Sequence, residues 1–168
     1  MGIKGWMAIL ILLLVSSSIV VLIQILQTIN QRITKEFQKM ETAKIKILND
    51  EGRVLELEVK VADEPDERAA GFQNISRSIM EKTLILFIFP GEINGLFHMR
   101  NVEASLDIAF IKADGTIIEI MRMDPDPSRL YGPNEGFKYT IEAPPGFFEE
   151  RGITPSKSKL ITESIPTD

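Results

Sequence analysis

The most prominent pattern along the chain is a long apolar run near its N-terminus. Residues 6–26 include fourteen Ile, Leu or Val residues, and no charge lies between Lys4 and Arg32. A helix of this length spans roughly 30 Å, the thickness of the hydrocarbon core of a bilayer. Each aliphatic side chain favours insertion by about 0.3–0.6 kcal/mol near the membrane centre. The run therefore predicts a transmembrane anchor at 6–26, with membrane lipid as its partner, behind a short tail at 1–5.

A cleaved signal peptide is the alternative interpretation of this run. Cleavage needs small residues after the apolar region, and the candidate is the cluster of serines at 16–18. A cut there would leave aliphatic residues from Ile19 onward on the mature chain, so an uncleaved anchor is favoured. The basic residues that flank the run do not fix its orientation. A short tail before a first apolar segment is typical of a signal anchor, which predicts a single-pass cell-membrane protein with an extracytoplasmic domain.

Residues 27–42 are polar with a regular apolar spacing. The apolar positions recur in steps of four, four and three, which places them on one face of a helix. They are Ile29, Ile33, Phe37 and Met40. This spacing predicts a juxtamembrane amphipathic helix that lies on lipid or on its own domain. A weak dimer through residues 26–40 is the alternative, although two heptads are few for a coiled coil.

Beyond residue 43 the apolar period changes to two, which is typical of half-buried strands. Residues 44–47 and 54–61 alternate on either side of a Gly-containing turn and predict a β-hairpin. The clearest hairpin is predicted at 106–111 and 116–122, because Asp114-Gly115 between them is a strong turn signal.

The other elements of the domain are predicted from apolar runs and from the residues that typically end strands and helices. Residues 84–89 are apolar throughout and predict a strand buried on both faces, and further strands are predicted at 96–100, 137–142 and 157–162. A short helix is predicted at 63–71, a helical turn at 144–152 and a long loop at 123–136. Many short strands predict a mainly β fold, a small jelly-roll-like sandwich or barrel at 43–162, before a flexible tail at 163–168.

Charge and composition exclude several functions. Residues 43–168 carry 15 Lys and Arg against 22 Asp and Glu, a net charge of −7, so nucleic acid is not expected as a partner. The chain has no cysteine and one histidine, which argues against disulfides, thiol catalysis and a zinc site. No catalytic residue, metal site or cofactor is predicted.

Two polar residues in the apolar pattern are candidates for chemistry. His98 is the single histidine, and it is expected at the surface because no nucleophile or metal motif accompanies it. Asp107 lies inside an apolar strand, where a carboxylate needs a partner. We expect a structural pair of Asp107 with Arg100 or with backbone amides, and a ligand contact is the alternative.

Several segments together resemble a known family. They are 84–89, Phe97-His98-Met99-Arg100-Asn101, 106–111, Asp114-Gly115, Ile141-Glu142 and Gly146. In order and spacing they resemble the uncharacterised prokaryotic family known as domain of unknown function 192, over roughly residues 45–160. The resemblance implies a compact jelly-roll-like β domain, often exported or membrane-tethered in bacteria and archaea. It implies no activity.

The chain departs from that family's usual pattern at four places. The family usually has Trp at His98, Thr or Ser at Val102, Arg-Gly-Leu-Met at residues 70–73, and Gly-Asp at Ser156-Lys157. If these positions form a binding surface in relatives, that surface is altered here.

Together these patterns predict a tethered, non-catalytic module that binds a glycan or protein partner in the cell envelope. The expected binding face includes the 123–136 loop and six residues. They are His98, Arg100, Asn101, Asp107, Tyr131 and Glu142. One alternative is a hydrolase-like enzyme that uses carboxylates around Asp107 and Glu142. Another is a structural or assembly subunit that acts through its juxtamembrane helix.

Overall fold

The computed structural model describes residue 6, residues 12–23 and residues 32–166. The chain divides into one unit that ends at Arg32 and a second that begins at Ile33. In the first unit residues 12–23 are helical, and the hydroxyls of the three serines at 16–18 donate to carbonyls three or four residues earlier. Within the described residues no helix is both long and apolar enough to span a bilayer. Residues 1–5, 7–11 and 24–26 of the predicted tail and anchor lie outside the described residues.

The second unit is built on one curled, seven-stranded sheet. Its strands are β1 (Thr42–Leu48), β2 (Val54–Ala62), β3 (Ile85–Ile93), β5 (Leu106–Ile111), β6 (Ile117–Met123), β8 (Phe137–Ala143) and β9 (Lys159–Ile161). They are arranged in the order β6-β5-β8-β3-β2-β1-β9. Two further strands, β4 (Phe97–His98) and β7 (Leu130–Tyr131), pair with each other. The mainly β fold and both predicted hairpins are confirmed.

One strand pair in the sheet is parallel. Strands β2 and β3 run in the same direction, whereas the other pairs in the sheet are antiparallel. Parallel neighbours need a long crossover, and the segment after β2 supplies it with α2 (Pro65–Ala70) and α3 (Arg77–Met80). Helix α2 is the helix predicted at 63–71, whereas α3 was not predicted.

The sheet curls until its two ends approach each other. The amide of Leu160, in β9, donates to the carbonyl of Gly115 at 2.8 Å, just before β6. The chains are so close that a Cβ on Gly115 would lie 2.1 Å from the Leu160 carbonyl oxygen, so this position requires glycine. The domain is therefore a half-barrel of mixed strands. The described residues do not form the two packed antiparallel sheets of a jelly-roll sandwich.

Hydrophobic cores cover both faces of the sheet. Along β3, Ile85 and Phe87 belong to one core and Leu86 to the other. Ile85 and Leu86 are fully buried, which confirms the prediction of a central strand covered on both sides.

The segment before the sheet is helical over fewer of the described residues than predicted. Only α1 (Lys35–Lys39) is helical, residues 32–34 are not, and residues 27–31 lie outside the described residues. Phe37 and Met40 belong to the core of the domain, so these two predicted apolar positions pack on the domain itself, one of the two arrangements expected from their spacing. The compact unit therefore begins before residue 43. At the other end, the first residues of the tail predicted at 163–168 are ordered, because the Lys46 amide donates to Ser164 Oγ at 2.8 Å, and residues 167–168 lie outside the described residues.

Phe37→Ala should lower the free energy of unfolding by about 3 kcal/mol, because it leaves a cavity in the core. The Phe37 ring lies 5.9 Å from that of Phe72, so the cavity adjoins a fully buried side chain. Denaturant unfolding of the full chain in detergent measures the change. Ile33→Ala, at an exposed position, is the matched control and should change stability by less than about 0.5 kcal/mol. Equal effects would contradict the placement of α1 in the core.

Candidate functional site

A pocket of about 300 Å³ opens on one face of the sheet, between α2, β3, β4 and β8. Much of its lining is aromatic, and the rings come from Phe72, Phe87, Phe89 and Phe97. A smaller polar set shares the pocket and consists of Arg68, Gln73, His98 and Glu142. An apolar cavity with a few converging polar groups is the usual form of a small-molecule site.

The aromatic lining is held by edge-to-face packing. The ring of Phe97 is nearly perpendicular to that of Phe87, with centroids 5.4 Å apart, and also packs on Phe110 at 5.8 Å. Phe89 packs edge-on against Phe137 at 5.7 Å. Such contacts add about 0.5–1.5 kcal/mol per pair beyond burial, so the wall of the pocket is preformed.

Glu142 is the carboxyl group of this pocket. It lies on β8 opposite Ile85 on β3 and Ile108 on β5, so its cross-strand neighbours on both sides are aliphatic. The residue is 6% exposed, and no hydrogen bond or charge from a described residue acts on its carboxyl. Burial raises the pKa of Glu142 to about 8. Its side chain is therefore mostly a neutral acid at pH 7.

His98 lies in the same pocket, which corrects the expectation that it is at the surface. It is half-buried on β4, opposite Leu130. Its Nδ1 atom is buried and has no hydrogen-bond partner within residues 12–23 and 32–166. Two residues of the pocket lining, Glu142 and His98, thus have a polar group that the described part of the chain leaves unpaired, and that of His98 is a buried nitrogen.

Arg68 and Gly71 shape the pocket from the α2 side. The Arg68 guanidinium donates to the carbonyl of Ile88 at 3.0 Å and to that of Asp63, and it lies 5.6 Å from the centroid of Phe89. Gly71 ends α2 with a φ of +46°, where a Cβ would lie 3.8 Å from Glu142 Oε2. Glycine is favoured at this φ, and its lack of a side chain leaves space beside the carboxyl.

Asp107 is a structural carboxylate with partners. Its carboxylate accepts from Arg122 through Nε and, at 3.3 Å, through Nη2, and from the backbone N–H of Gly146 at 2.6 Å. The expected amide partner is thus found, but the cation is Arg122 rather than Arg100. Arg122 stands directly opposite Asp107 in the β5–β6 pair, where cross-strand side chains meet.

The geometry does not support the alternative of a hydrolase-like enzyme that uses Asp107 and Glu142 together. In the β5–β8 register Asp107 is paired with Ala143, and Ile108 is paired with Glu142. Paired residues point to the same face and successive residues to opposite faces, so Asp107 and Glu142 lie on opposite faces of the sheet. They cannot act on one substrate from the two ends of a shared cleft.

The other predicted face residues do not line the pocket. Arg100 and Asn101 are exposed in the turn after β4, where Asn101 adopts a φ of +58° and its carbonyl accepts from the Asn74 amide at 2.8 Å. Tyr131 is buried on β7, and its hydroxyl is hydrogen-bonded to the backbone of Asp124. Of the six predicted residues, the structure brings His98 and Glu142 together. Across residue 6 and residues 12–23 and 32–166, no group of three or more His, Asp or Glu is placed to hold a metal ion.

Sequence reasoning missed Arg68, Phe72 and Gln73 as pocket residues, although a signal for them was present. Three of the four departures from the family pattern line this one pocket: residues 70–73, His98 and Val102. The segments are far apart in the chain, so only the fold reveals that they meet.

Sequence comparisons identify relatives of the chain. It is 30% identical over 100 residues to a UPF0127 protein of Thermococcus sibiricus, an alignment that covers 58% of the chain and 62% of that protein. It is 29% identical over 88 residues to a UPF0127 protein of Pyrococcus abyssi, covering 52% of the chain and 72% of the relative. The chain thus spans less than two thirds of the first relative's length.

Solved structures share the fold. A Sinorhizobium meliloti protein, named a candidate transcription regulator, aligns with a TM-score of 0.63 and 24% identity over 72% of the chain and 95% of its own. A Novosphingobium aromaticivorans protein of unknown function aligns with a TM-score of 0.64 and 18% identity, covering 77% of the chain and 91% of its own. At these identities the likeness shows the fold alone. A family model, DUF192, described as "Uncharacterized ACR, COG1430", matches residues 46–159. The chain therefore belongs to the uncharacterised family of domain of unknown function 192.

Proposed function

We propose that this domain is a small-molecule binding module, that its site is the pocket around Glu142, and that residues 6–26 tether it to a membrane. The observation that carries the proposal is an acid buried in an apolar cavity without a partner among the described residues. Burial of an unpaired polar group costs free energy, so such a group destabilises the folded domain. Residues of this kind are typical of functional sites, where a ligand supplies the missing interaction.

The contrast with Asp107 strengthens this interpretation. Both carboxyls are buried on strands of the sheet, yet Asp107 has an arginine and a backbone amide as partners. Glu142 has neither within the described residues, and Gly71 leaves the space beside it open. The domain therefore stabilises the carboxyl that supports the fold and leaves the other accessible from its pocket.

The size of the pocket limits the ligand. A volume of about 300 Å³ lies at the lower end of the range of roughly 300–1,000 Å³ that is usual for ligand sites. A long glycan or an extended peptide would not fit inside, so we propose a small molecule in the cell envelope in place of the larger partners considered from the sequence.

Membrane tethering is supported by the first unit. The helical residues 12–23 are apolar except for the three serines, and all of their side chains are exposed. The serine hydroxyls donate to backbone carbonyls, which reduces the cost of placing them in lipid. With the apolar sequence on both sides, this favours a single-pass anchor.

Regulation of transcription is not carried over to this chain. The S. meliloti protein bears that name, but it is 24% identical and shows a shared fold. The net charge of −7 over residues 43–168 would repel the phosphates of DNA.

A fragment screen on the full chain in detergent, followed by ligand-observed NMR, tests the proposed function. Ala69→Phe should abolish the binding of the hits, because Ala69 is exposed and lines the pocket, so a large ring there obstructs it. Ala113→Phe is the matched control, since Ala113 is exposed in the β5–β6 turn and does not line the pocket. Loss of binding in both variants or in neither would refute the pocket as the site.

A further inference from the structure

We infer that the ligand of this pocket is a small organic ammonium cation, which lies among the phenylalanine rings and pairs with the Glu142 carboxylate. The inference rests on the proposed function, because it assigns a ligand class to the same pocket. It joins three observations: an unpaired carboxyl, an aromatic lining and a cation already held on that lining.

The unpaired carboxyl selects between ligand charges. An anion would be repelled by Glu142 whenever that side chain is ionised. A purely apolar ligand would fill the cavity but would cover Glu142 without giving it a partner. A cation restores the missing charge partner, and a close ion pair away from water is stronger than the same pair in solvent. Charge complementarity therefore favours an ammonium group beside Glu142.

The aromatic lining suits the same ligand. The π faces of aromatic rings attract cations, and ammonium ions are bound in this way in aromatic cages. Phe72, Phe87, Phe89 and Phe97 contribute four rings to the pocket. The Arg68 guanidinium, 5.6 Å from the Phe89 centroid, shows a cation already at this wall. Arg68 is held by the carbonyls of Asp63 and Ile88, so it does not reach the carboxyl as a partner.

Binding of a cation should be linked to release of a proton. Desolvation raises the pKa of Glu142 to about 8, so the side chain holds a proton at neutral pH. An incoming cation favours the ionised form, and the proton leaves to solvent. Below pH 8, affinity should therefore rise close to tenfold per pH unit, and above pH 8 it should level off. The charged or titratable groups that share the pocket are Arg68 on α2 and His98 on β4, while β3 contributes phenylalanines and Ile93.

The experiment uses two probes of nearly equal shape. Choline carries a permanent positive charge, and 3,3-dimethylbutan-1-ol is its neutral carbon analogue. Both are titrated into the full chain in detergent at pH 6, 7, 8 and 9, with binding followed by NMR shifts of the domain. We expect choline to bind at least tenfold more tightly than the alcohol at pH 9 and to lose most of that preference by pH 6. Calorimetry of choline at pH 7 in buffers of different ionisation enthalpy should show close to one proton released.

Three variants distinguish the Glu142 carboxyl from the other titratable groups. Glu142→Gln keeps the shape and removes the charge, so it should abolish the choline preference and its pH dependence while the alcohol still binds. Glu58→Gln changes an exposed carboxylate on β2 that does not line the pocket, and it should behave as the parent. His98 is the other side chain of the pocket with an unpaired polar atom, so the series is repeated with His98→Gln, in which the pH dependence should persist.

Each contrary outcome has a distinct meaning. Equal affinity for choline and the alcohol would overturn the ligand class and leave the pocket as a binding site. Choline binding that survives in Glu142→Gln would place the cation elsewhere and overturn the inference. If neither probe binds at millimolar concentration, the ligand class is wrong. The proposed function is then tested separately by the fragment screen and the Ala69→Phe variant.

Discussion

Glu142→Gln should make the protein more resistant to unfolding at pH 8 than the parent chain, although it replaces a buried residue. The physical reason is the raised pKa of Glu142, about 8 in the folded protein against an ordinary value of 4.5. Below pH 4.5 both the folded and the unfolded chain hold this proton, so Glu142 gives no pH-dependent penalty. Between pH 4.5 and 8 the unfolded chain loses the proton while the folded chain retains it. The parent protein therefore loses stability over this window.

The size of the effect follows from the pKa difference. At 1.36 kcal/mol per unit, the parent should lose about 4 kcal/mol by pH 8 relative to pH 4. The glutamine does not titrate and is free of this loss. Burying its amide costs about 1–3 kcal/mol, but this cost is the same at every pH. The stability difference between variant and parent should therefore shift in favour of the variant as pH rises.

Urea unfolding of both proteins at pH 4, 6 and 8 measures this shift. Glu58→Gln is the control for pH effects at an exposed carboxylate, and its difference from the parent should stay within about 0.5 kcal/mol. A difference between Glu142→Gln and the parent that is constant from pH 4 to pH 8 would mean that Glu142 is ionised normally, and the description of the pocket would be wrong.

Asp107→Ala should destabilise the domain by about 3 kcal/mol, the second large effect that the structure predicts. The substitution removes the partner of Arg122 and leaves the Gly146 N–H without its acceptor. Breaking a fully buried pair costs roughly 3–5 kcal/mol. The lower end applies here, because the Arg122 side chain is 48% exposed and can regain water. Thermal and urea unfolding of the full chain at pH 7 give the change.

Two arginine variants distinguish the partner that the structure shows from the one expected from the sequence. Arg122→Ala should cost about 1–2 kcal/mol, and in a double-mutant cycle with Asp107→Ala the two losses should not add. Arg100→Ala is the matched control, because Arg100 is exposed after β4 and its removal should change stability by less than about 0.5 kcal/mol. A large effect at Arg100, or additive losses at Asp107 and Arg122, would contradict the observed pair.

The parts of the fold that depend on neighbouring residues could be predicted from the sequence. The hairpins around Gly52 and Gly115 form because alternating apolar positions and a turn signal lie within a few residues of each other. Helix α2 follows for a similar reason, since Pro65 near its start and Gly71 at its end are local signals. Strand β3 was recognisable because a strand that is buried on both faces has no polar alternation.

The features that depend on distant contacts could not be predicted. The choice of Arg122 over Arg100 is set by the β5–β6 register, which the positions of the residues in the chain do not reveal. The parallel pairing of β2 and β3 depends on a crossover whose second helix, α3, is four residues long and carries a weak pattern.

The pocket itself shows why a single residue type is a poor guide to a site. His98 was expected at the surface because it has no motif around it, and Glu142 was grouped with Asp107 as a possible pair of carboxylates. The fold brings His98 to Glu142 through the β4–β7 pair and separates Asp107 onto the other face. The placement of Asp107 and Glu142 on opposite faces follows from side-chain alternation along β5 and β8. It could be predicted only once the register between these two strands was known.

Direct titration of the Glu142 carboxyl is the measurement that tests the central claim most closely. The full chain, labelled with ¹³C at the glutamate side-chain carboxyl, is followed by NMR from pH 4 to pH 10, and the resonance missing in Glu142→Gln identifies Glu142. We predict a midpoint near pH 8 for the free protein and a lower midpoint when choline is bound. A midpoint near the ordinary value of 4.5 would show that Glu142 is solvated or already paired, and would contradict the account of this pocket as a binding site built around an unpaired acid.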